Sequence, residues 1–245
     1  MKEPTLKIRY PRRLFVRRVL RGMDRILFRV LTRFEVTGKE NLPRTGPLLL
    51  TINHFGFLDS AVVIAATDYP IEVLGGFQTP TAPTWAHWIL QLWGSFPVRR
   101  GTGARDALRA AEMVLGQGGV LGVAPEGGAW AAVLRPPRPG AAYLAARTGA
   151  RILPMGLEGT SEAVPVLGRG KRPSIKVRIG EPFGPFQVSG RGRERRRQLD
   201  EVGHEIMQHI ARLIPPERRG YYSDDPDIRA AAKGTEIYPW ADTAE

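Results

Sequence analysis

The sequence predicts an α/β protein: a single domain built on one mixed β-sheet flanked by helices, preceded by a basic amphipathic helical arm. Short apolar runs alternate with helical stretches along most of the chain, which is typical of layered α/β folds. The chain has 245 residues, of which 42% are hydrophobic and 24% are charged. This length is enough to bury a sizeable core, and the composition differs from that of disordered chains.

The arm is residues 1–34, and most of the positive charge lies there. The net charge is +12, of which residues 1–34 carry a net +9 and residues 35–245 a net +3. This distribution excludes a uniformly cationic nucleic-acid-binding protein, so we expect no nucleic acid partner. It indicates an ordinary folded body with one basic segment.

The arm itself is predicted to be an amphipathic helix. Apolar residues recur every three or four positions from Phe15 to Phe34, and arginines occupy the positions between them. Arginine is too frequent for a membrane-spanning helix or a signal peptide, so we expect no segment to be translocated or removed. A basic amphipathic helix is typical of proteins that lie on anionic bilayers, which predicts a peripheral protein on the cytoplasmic face of the cell membrane. The alternative is a helix that packs its apolar stripe on the body and turns its arginines to water.

The body is predicted to span residues 35–214, and a tail follows at 215–245. The tail has no periodicity, which indicates either a strap over the surface or partial disorder. The predicted strands are residues 34–37, 47–52, 71–74, 119–124, 151–157 and 174–179. The predicted helices are residues 60–67, 84–93, 104–115, 141–148 and 193–213.

The composition also excludes several kinds of chemistry. Without cysteine the chain has no disulfide, thiolate zinc site, iron–sulfur cluster or cysteine nucleophile, and an intracellular setting is expected. A metal-dependent hydrolase needs more converging ligands than the motifs supply, so no metal is expected. Gly101 and Gly103 suggest a dinucleotide-binding loop, but the third glycine and the acidic ribose ligand of that motif are missing.

The first candidate for catalysis is His54 with Asp59. His54 follows the apolar run of residues 48–52, and Asp59 comes five positions later, with Gly56 permitting a tight turn between them. A strand-to-helix corner of this kind places both side chains at the carboxyl edge of the sheet, where open α/β folds bind ligands. A neutral imidazole can take a proton from a hydroxyl if its other nitrogen donates to a carboxylate. The spacing alone is a weak motif, and a chance pairing is the alternative.

A second candidate is the loop that begins at Pro125. It carries Glu126 to the same sheet edge, and Gly127 and Gly128 allow backbone N–H groups to approach polar oxygens of a ligand. The alternative is a surface turn with one solvated glutamate. A third candidate is the pair Arg99 and Arg100, whose guanidinium groups can clamp a phosphate, or are simply solvated.

In this order, the segments resemble the glycerolipid acyltransferase family of lysophosphatidic acid acyltransferases. The resemblance covers about residues 34–160, and four motifs in the right order are far more specific than any one alone. It implies transfer of a fatty acyl group from acyl-CoA or an acyl carrier protein to a hydroxyl of a lysophospholipid or related glycerolipid. No cofactor is implied beyond the donor itself. The matching segments, including the family's lead-in, are residues 38–43, 53–59, 94–100, 125–127 and 152–156.

The resemblance also implies roles for individual residues. His54 is the general base and Asp59 orients it, while Arg100 and Glu126 hold the acceptor. The residues predicted to line the substrate site are Asn53, Arg99, Arg100, Glu126, Gly127 and Gly128. The uncharged stretch at residues 73–98, which holds three tryptophans, is a candidate wall for the site of the acyl chain. The alternative is that this stretch packs against the sheet.

The third of the four motifs, residues 125–127, departs from the family pattern in the residues that follow it. Where the family usually continues Glu-Gly-Thr-Arg, this chain has Gly128 and Ala129 at the last two positions. A hydroxyl and a guanidinium expected near the acceptor phosphate are therefore missing. The candidates to supply the charge are Arg99, Arg135 and Arg138. Two alternatives stay open: an acceptor without a phosphate monoester, and a non-catalytic lipid-binding protein in which His54 is dispensable.

Overall fold

The computed structural model describes residues 8–75, 89, 91–97 and 103–235. Its strands are β1 (Arg33–Thr37), β2 (Leu48–Ile52), β3 (Glu72–Gly75), β4 (Phe96–Pro97), β5 (Val120–Val123), β6 (Arg151–Glu158) and β7 (Ser174–Ile179). Its helices are α1 (Leu14–Leu31), α2 (Asp59–Ala66), α3 (Gly103–Gly116), α4 (Pro139–Thr148), α5 (Ala163–Gly168), α6 (Gly192–Ala211) and α7 (Pro226–Ala232). Within these residues, seven strands form one sheet in the order β1-β7-β6-β2-β5-β3-β4.

The sheet is mixed, which confirms the predicted fold class. Its neighbouring strands are parallel except for β6 and β7, which are antiparallel. Strand β2 is buried along its whole length, and its side chains alternate between two hydrophobic cores. Leu48 and Leu50 pack with α2 and the inner side of α1, whereas Leu49 packs with α4 and α6. The sheet is thus the middle of three layers, which explains why β2 is an unbroken apolar run.

Most predicted elements are present, with ends that agree within two residues. There are two exceptions. The helix of the arm ends at Leu31 and not at Phe34, which lies in β1, and most of the predicted helix at residues 84–93 lies outside the described residues. Elements β4, α5 and α7 were not predicted. Strand β4 has two residues and α5 has six, including Pro165, so neither is long enough to show a period.

Helix α1 packs on the body, but not through its apolar stripe as the alternative from the sequence expected. Three of its arginines, Arg17, Arg21 and Arg25, bond to the body, whereas most of its large apolar side chains point outward. The Arg17 side chain is 1% exposed and makes bidentate bonds of 2.7 Å to Glu72 of β3. Arg21 and Arg25 donate to backbone carbonyls at and beyond the C-terminal end of α2. The outward apolar residues include Phe15, 79% exposed, and Ile26, 64% exposed.

The described part of the tail runs over the surface beside the loop that follows β5. The backbone of Leu134 exchanges hydrogen bonds with Arg218 and Tyr221. Trp130 donates its indole N–H to the carbonyl of Thr235 at 2.8 Å. Residues 215–235 therefore hold the loop that carries the third motif.

Candidate active site

The carboxyl ends of β2 and β5 meet at one edge of the sheet, because the two strands are parallel neighbours. His54 lies two residues beyond β2, and Glu126 lies three residues beyond β5. The structure brings these two residues into direct contact, since the backbone N–H of His54 donates to Glu126 Oε1 at 2.9 Å. The first and third motifs are therefore parts of one site.

His54 and Asp59 form a hydrogen-bonded pair. The distance from His54 Nδ1 to Asp59 Oδ2 is 2.8 Å, and the same oxygen accepts from the backbone N–H of Phe55 and of Gly56. Because Asp59 Oδ2 accepts these two bonds, it also accepts from Nδ1, which leaves Nε2 of the neutral ring as the proton acceptor. The Asp59 side chain is fully buried, while that of His54 is 21% exposed. A Cβ on Gly56 would lie 3.3 Å from the backbone of Ser161, so a glycine suits this close approach.

Asn53 does not have the predicted position of a substrate-binding residue. It is fully buried. Its amide nitrogen donates to the carbonyl of Leu157 at 2.9 Å, and its amide oxygen accepts from the Leu157 N–H at 2.7 Å. Both side-chain groups are thus used to join the end of β2 to β6. The prediction is corrected accordingly: Asn53 fixes the strand end from which His54 projects.

Glu126 is also placed differently from the sequence expectation. It was predicted to hold the acceptor, but its side chain is fully buried. Its second oxygen accepts from the backbone N–H of Arg135 at 3.2 Å and lies 3.3 Å from Arg135 Nε. Burial raises the pKa of Glu126 to about 7, against the opposing effects of Arg135 and of the N–H of His54. Glu126 lies beneath the loop and does not face the site opening.

The remaining cations of the site have different surroundings. Arg135, a candidate for the missing charge, is 1% exposed and bonds to the carbonyl of Gly128, so it is committed to the protein. Arg138 is exposed, and its side chain lies over Gly127, where a Cβ would come within 3.0 Å of Arg138 Cγ. Gly127 is exposed and Gly128 partly so, as loop residues at the sheet edge. Arg99 and Arg100 lie outside the described residues.

Two further segments of the resemblance have structural positions. Residues 152–156, the fourth motif, lie in β6 beside β2 and are buried. In the stretch at 73–98, Trp93 is buried and donates to the carbonyl of Ile71 at 3.0 Å, so it packs against the sheet as the alternative expected. The other two tryptophans of that stretch lie outside the described residues.

A cleft of about 380 Å³ opens next to the catalytic corner. Phe55, adjacent to His54 in sequence, forms part of its wall together with residues 157–162, 166, 172–174, 215, 217 and 218. Two of its arginines are already bonded: Arg172 to the carbonyl of Thr32, and Arg218 to Glu162 at 2.6 Å. The cleft is thus lined by both polar and apolar groups, and both of its arginines among the residues described already make hydrogen bonds within the protein.

Across the described ranges, no three or more His, Asp or Glu side chains are grouped as a metal site would require. Nor does any helix in the same ranges combine the length and apolar character that crossing a bilayer demands.

The structure is similar to the crystal structure of the 1-acyl-sn-glycerophosphate (LPA) acyltransferase PlsC from Thermotoga maritima, with a TM-score of 0.57 and 21% sequence identity. The match covers 82% of this chain and 83% of that one. The family is established by the sequence, because the acyltransferase family model matches residues 33–158, more than half of the chain. The chain belongs to the acyltransferase family, as the resemblance predicted.

Proposed function

We propose that the protein transfers a fatty acyl group from a thioester donor, acyl-CoA or an acyl carrier protein, to a hydroxyl of a lysophospholipid or related glycerolipid. The observation that carries this proposal is the 2.8 Å contact between His54 Nδ1 and Asp59 Oδ2. The pair lies at the carboxyl edge of the sheet, and the partly exposed imidazole keeps Nε2 available. A positioned base of this kind contributes about 10²–10⁴ to a rate.

The reaction needs one proton transfer in each direction. As the acceptor hydroxyl attacks the thioester carbonyl, its proton moves to Nε2 of His54, and the buried Asp59 carboxylate stabilises the imidazolium that forms. When the tetrahedral intermediate collapses, the carbon–sulfur bond breaks and His54 returns the proton to the departing thiolate. The backbone N–H groups of residues 54–56 already donate to Glu126 and Asp59. The charge that develops on the carbonyl oxygen is therefore stabilised by other donors.

A second candidate function is acyl transfer to an acceptor without a phosphate monoester. Two observations favour it: the third motif lacks its arginine, and Arg135 is bonded to Glu126 and Gly128. The cleft beside Phe55 supports this candidate because Arg218 is paired with Glu162 and Arg172 already donates to backbone carbonyls. Arg138, exposed over Gly127, is the feature that favours a phosphorylated acceptor.

The proposed partner of the arm is an anionic membrane surface, on the cytoplasmic face of the cell membrane. Helix α1 supports this proposal because its outward stripe contains Phe15, Met23 and Ile26, each more than half exposed. Arg18 and Arg29 are exposed beside this stripe and can reach lipid phosphates. Since Arg17, Arg21 and Arg25 are bonded to the body, apolar burial contributes more to binding than the charge of the sequence suggests.

The activity is tested with purified protein, radiolabelled acyl-CoA and a panel of acceptors. The panel pairs lysophosphatidate with glycerolipids of the same chain length that lack the phosphate. A labelled diacyl product with lysophosphatidate supports the first candidate, and a product only with unphosphorylated acceptors supports the second. Release of free thiol without any labelled lipid would contradict both.

Membrane association is tested by sedimentation with vesicles containing anionic lipid. Full burial of one Phe side chain is worth about 1.5–3 kcal/mol, so Phe15→Ser should weaken binding by about 10- to 100-fold. Tyr221→Ser removes an exposed aromatic residue from the tail and is the matched control. Equal binding by the Phe15 variant and the control would show that the stripe does not contact the lipid.

A further inference from the structure

Glu126 is an ionisable residue with no access to solvent, although its loop meets the catalytic corner. Its side chain is 0% exposed. One carboxylate oxygen accepts from the backbone N–H of His54 at 2.9 Å, and the other accepts from the backbone N–H of Arg135 at 3.2 Å. These contacts join residues that are 72 and 9 positions from Glu126 in the sequence. The carboxylate therefore connects two loops.

Arg135 closes the other side of this carboxylate. Its guanidinium lies 3.3 Å from Glu126 Oε2, bonds to the carbonyl of Gly128 and stacks 3.6 Å from the centre of the Trp130 ring. Trp130 is in turn bonded to the tail at Thr235. Arg135 thus holds the Glu126 carboxylate at the oxygen that does not contact His54, and both side chains are buried.

The backbone of the catalytic corner is fixed by two carboxylates. The N–H groups of Phe55 and Gly56 donate to Asp59, which is close in sequence, and the N–H of His54 donates to Glu126. The backbone bonds of Asp59 reach only the two residues after His54, and those of Asn53 hold the strand end before it. Glu126 supplies the missing restraint at His54 itself.

We propose that Glu126 is a positioning residue for the catalytic base: it holds the backbone of His54, Arg135 holds Glu126, and neither side chain contacts the acceptor. This proposal rests on the proposed function for its activity readout. Displacement of a reacting group by about 1 Å can lower a rate by about 10²-fold. Loss of Glu126 is therefore expected to reduce kcat while leaving acceptor binding intact.

The test is Glu126→Gln. The oxygen of the glutamine side chain can still accept from one N–H group. Its NH₂ group then faces the N–H groups of Arg135, and neither side can accept a hydrogen bond. We expect kcat to fall by about 10- to 100-fold while KM for the acceptor stays within about twofold. Glu112→Gln removes a glutamate that contacts Tyr143 and Arg147 on the outside of α3 and α4, and it is expected to leave both constants unchanged.

Two further measurements separate a positioning role from a merely structural one. Hydrogen exchange of the His54 amide, measured without substrates, should accelerate about tenfold or more in Glu126→Gln because this N–H loses its restrained partner. Adding Arg135→Met to Glu126→Gln removes the conflict between donors and should restore part of kcat. If Glu126→Gln does not fold, Arg135→Lys is measured in its place. It should lower kcat and accelerate exchange of the His54 amide in the same directions, by smaller factors.

A direct contact between Glu126 and the acceptor would give a different result. If KM for the acceptor rises tenfold or more while kcat and His54 exchange stay as in the wild type, Glu126 contacts the acceptor and the proposal is overturned. If the wild type transfers no acyl group, the proposed function fails. The exchange measurement still decides whether Glu126 holds His54, since unchanged exchange in the variant overturns the positioning role by itself.

Discussion

Replacing Asp59 by Asn should leave the catalytic corner in place and remove its charge. In the wild type, Asp59 Oδ2 accepts three bonds of 2.8 Å, from His54 Nδ1 and from the N–H groups of Phe55 and Gly56. An asparagine can place its single oxygen at this point and keep all three bonds. Its NH₂ group then takes the position of Oδ1, which is buried and makes no hydrogen bond to any described residue.

The expected loss follows from the charge. Opposite charges about 4 Å apart attract by about 4 kcal/mol at an effective dielectric constant near 20. Each 1.36 kcal/mol corresponds to about tenfold in rate, so full loss of this attraction would be worth about 10³-fold. The imidazolium is only partly formed in the transition state, and we expect kcat to fall by about 10²- to 10³-fold. KM for the acceptor should change by less than about twofold, because Asp59 is fully buried.

The assay is the initial rate of labelled acyl transfer with both substrates varied. Thermal unfolding confirms that the variant is folded. Asp68→Asn, which alters an exposed carboxylate paired with Arg25, is the matched control. A folded Asp59→Asn enzyme with a kcat within threefold of the wild type would refute the role of the carboxylate as charge partner of His54.

Two predictions concern stability. Glu72→Gln leaves Arg17 buried without its charge partner and should cost about 3–5 kcal/mol, measured by urea unfolding at pH 7, whereas Arg18→Met should change little. Burial raises the pKa of Asp24 from 3.8 to about 7, so its contribution to stability is complete below pH 3.8 and is lost as pH rises through about 7. Asp24→Asn should therefore gain stability over the wild type progressively up to pH 7, and equal pH dependence of the two would disprove this.

The strands could be predicted because their signal is local. Strand β2 is buried on both faces by its neighbours, and this gives an apolar run that needs no knowledge of distant residues. The His54 and Asp59 pair was visible for the same reason, since a strand end, a turn and a helix start are all within six positions.

The orientation of α1 could not be predicted in this way. Apolar periodicity indicates which residues share a face of a helix, but it does not show which face meets the body. Here the decision depends on Glu72, 55 positions from Arg17, together with free carbonyls at the end of α2 that accept from Arg25. Buried partners for the arginines offset the exposure of the apolar stripe.

The burial of Asn53 and Glu126 could not be predicted for a related reason. Both are polar residues beside the catalytic histidine, and in sequence they look like groups for a substrate. Their partners are backbone groups of Leu157 and Arg135, and backbone groups leave no signature in composition or spacing. By contrast, α7 has a local signal in the sequence, because Asp225 caps the helix and Pro226 is its first residue. No helix was predicted in this tail.

The proposed function requires His54 to act as the base for acyl transfer. It is tested by comparing His54→Ala with His209→Ala, which changes a histidine of α6 that stacks on Phe183 at 3.9 Å. Single-turnover transfer from radiolabelled acyl-CoA, with folding verified for each variant, should be at least about 10²-fold slower for His54→Ala and near the wild-type rate for His209→Ala. Wild-type transfer by a folded His54→Ala protein would contradict the account.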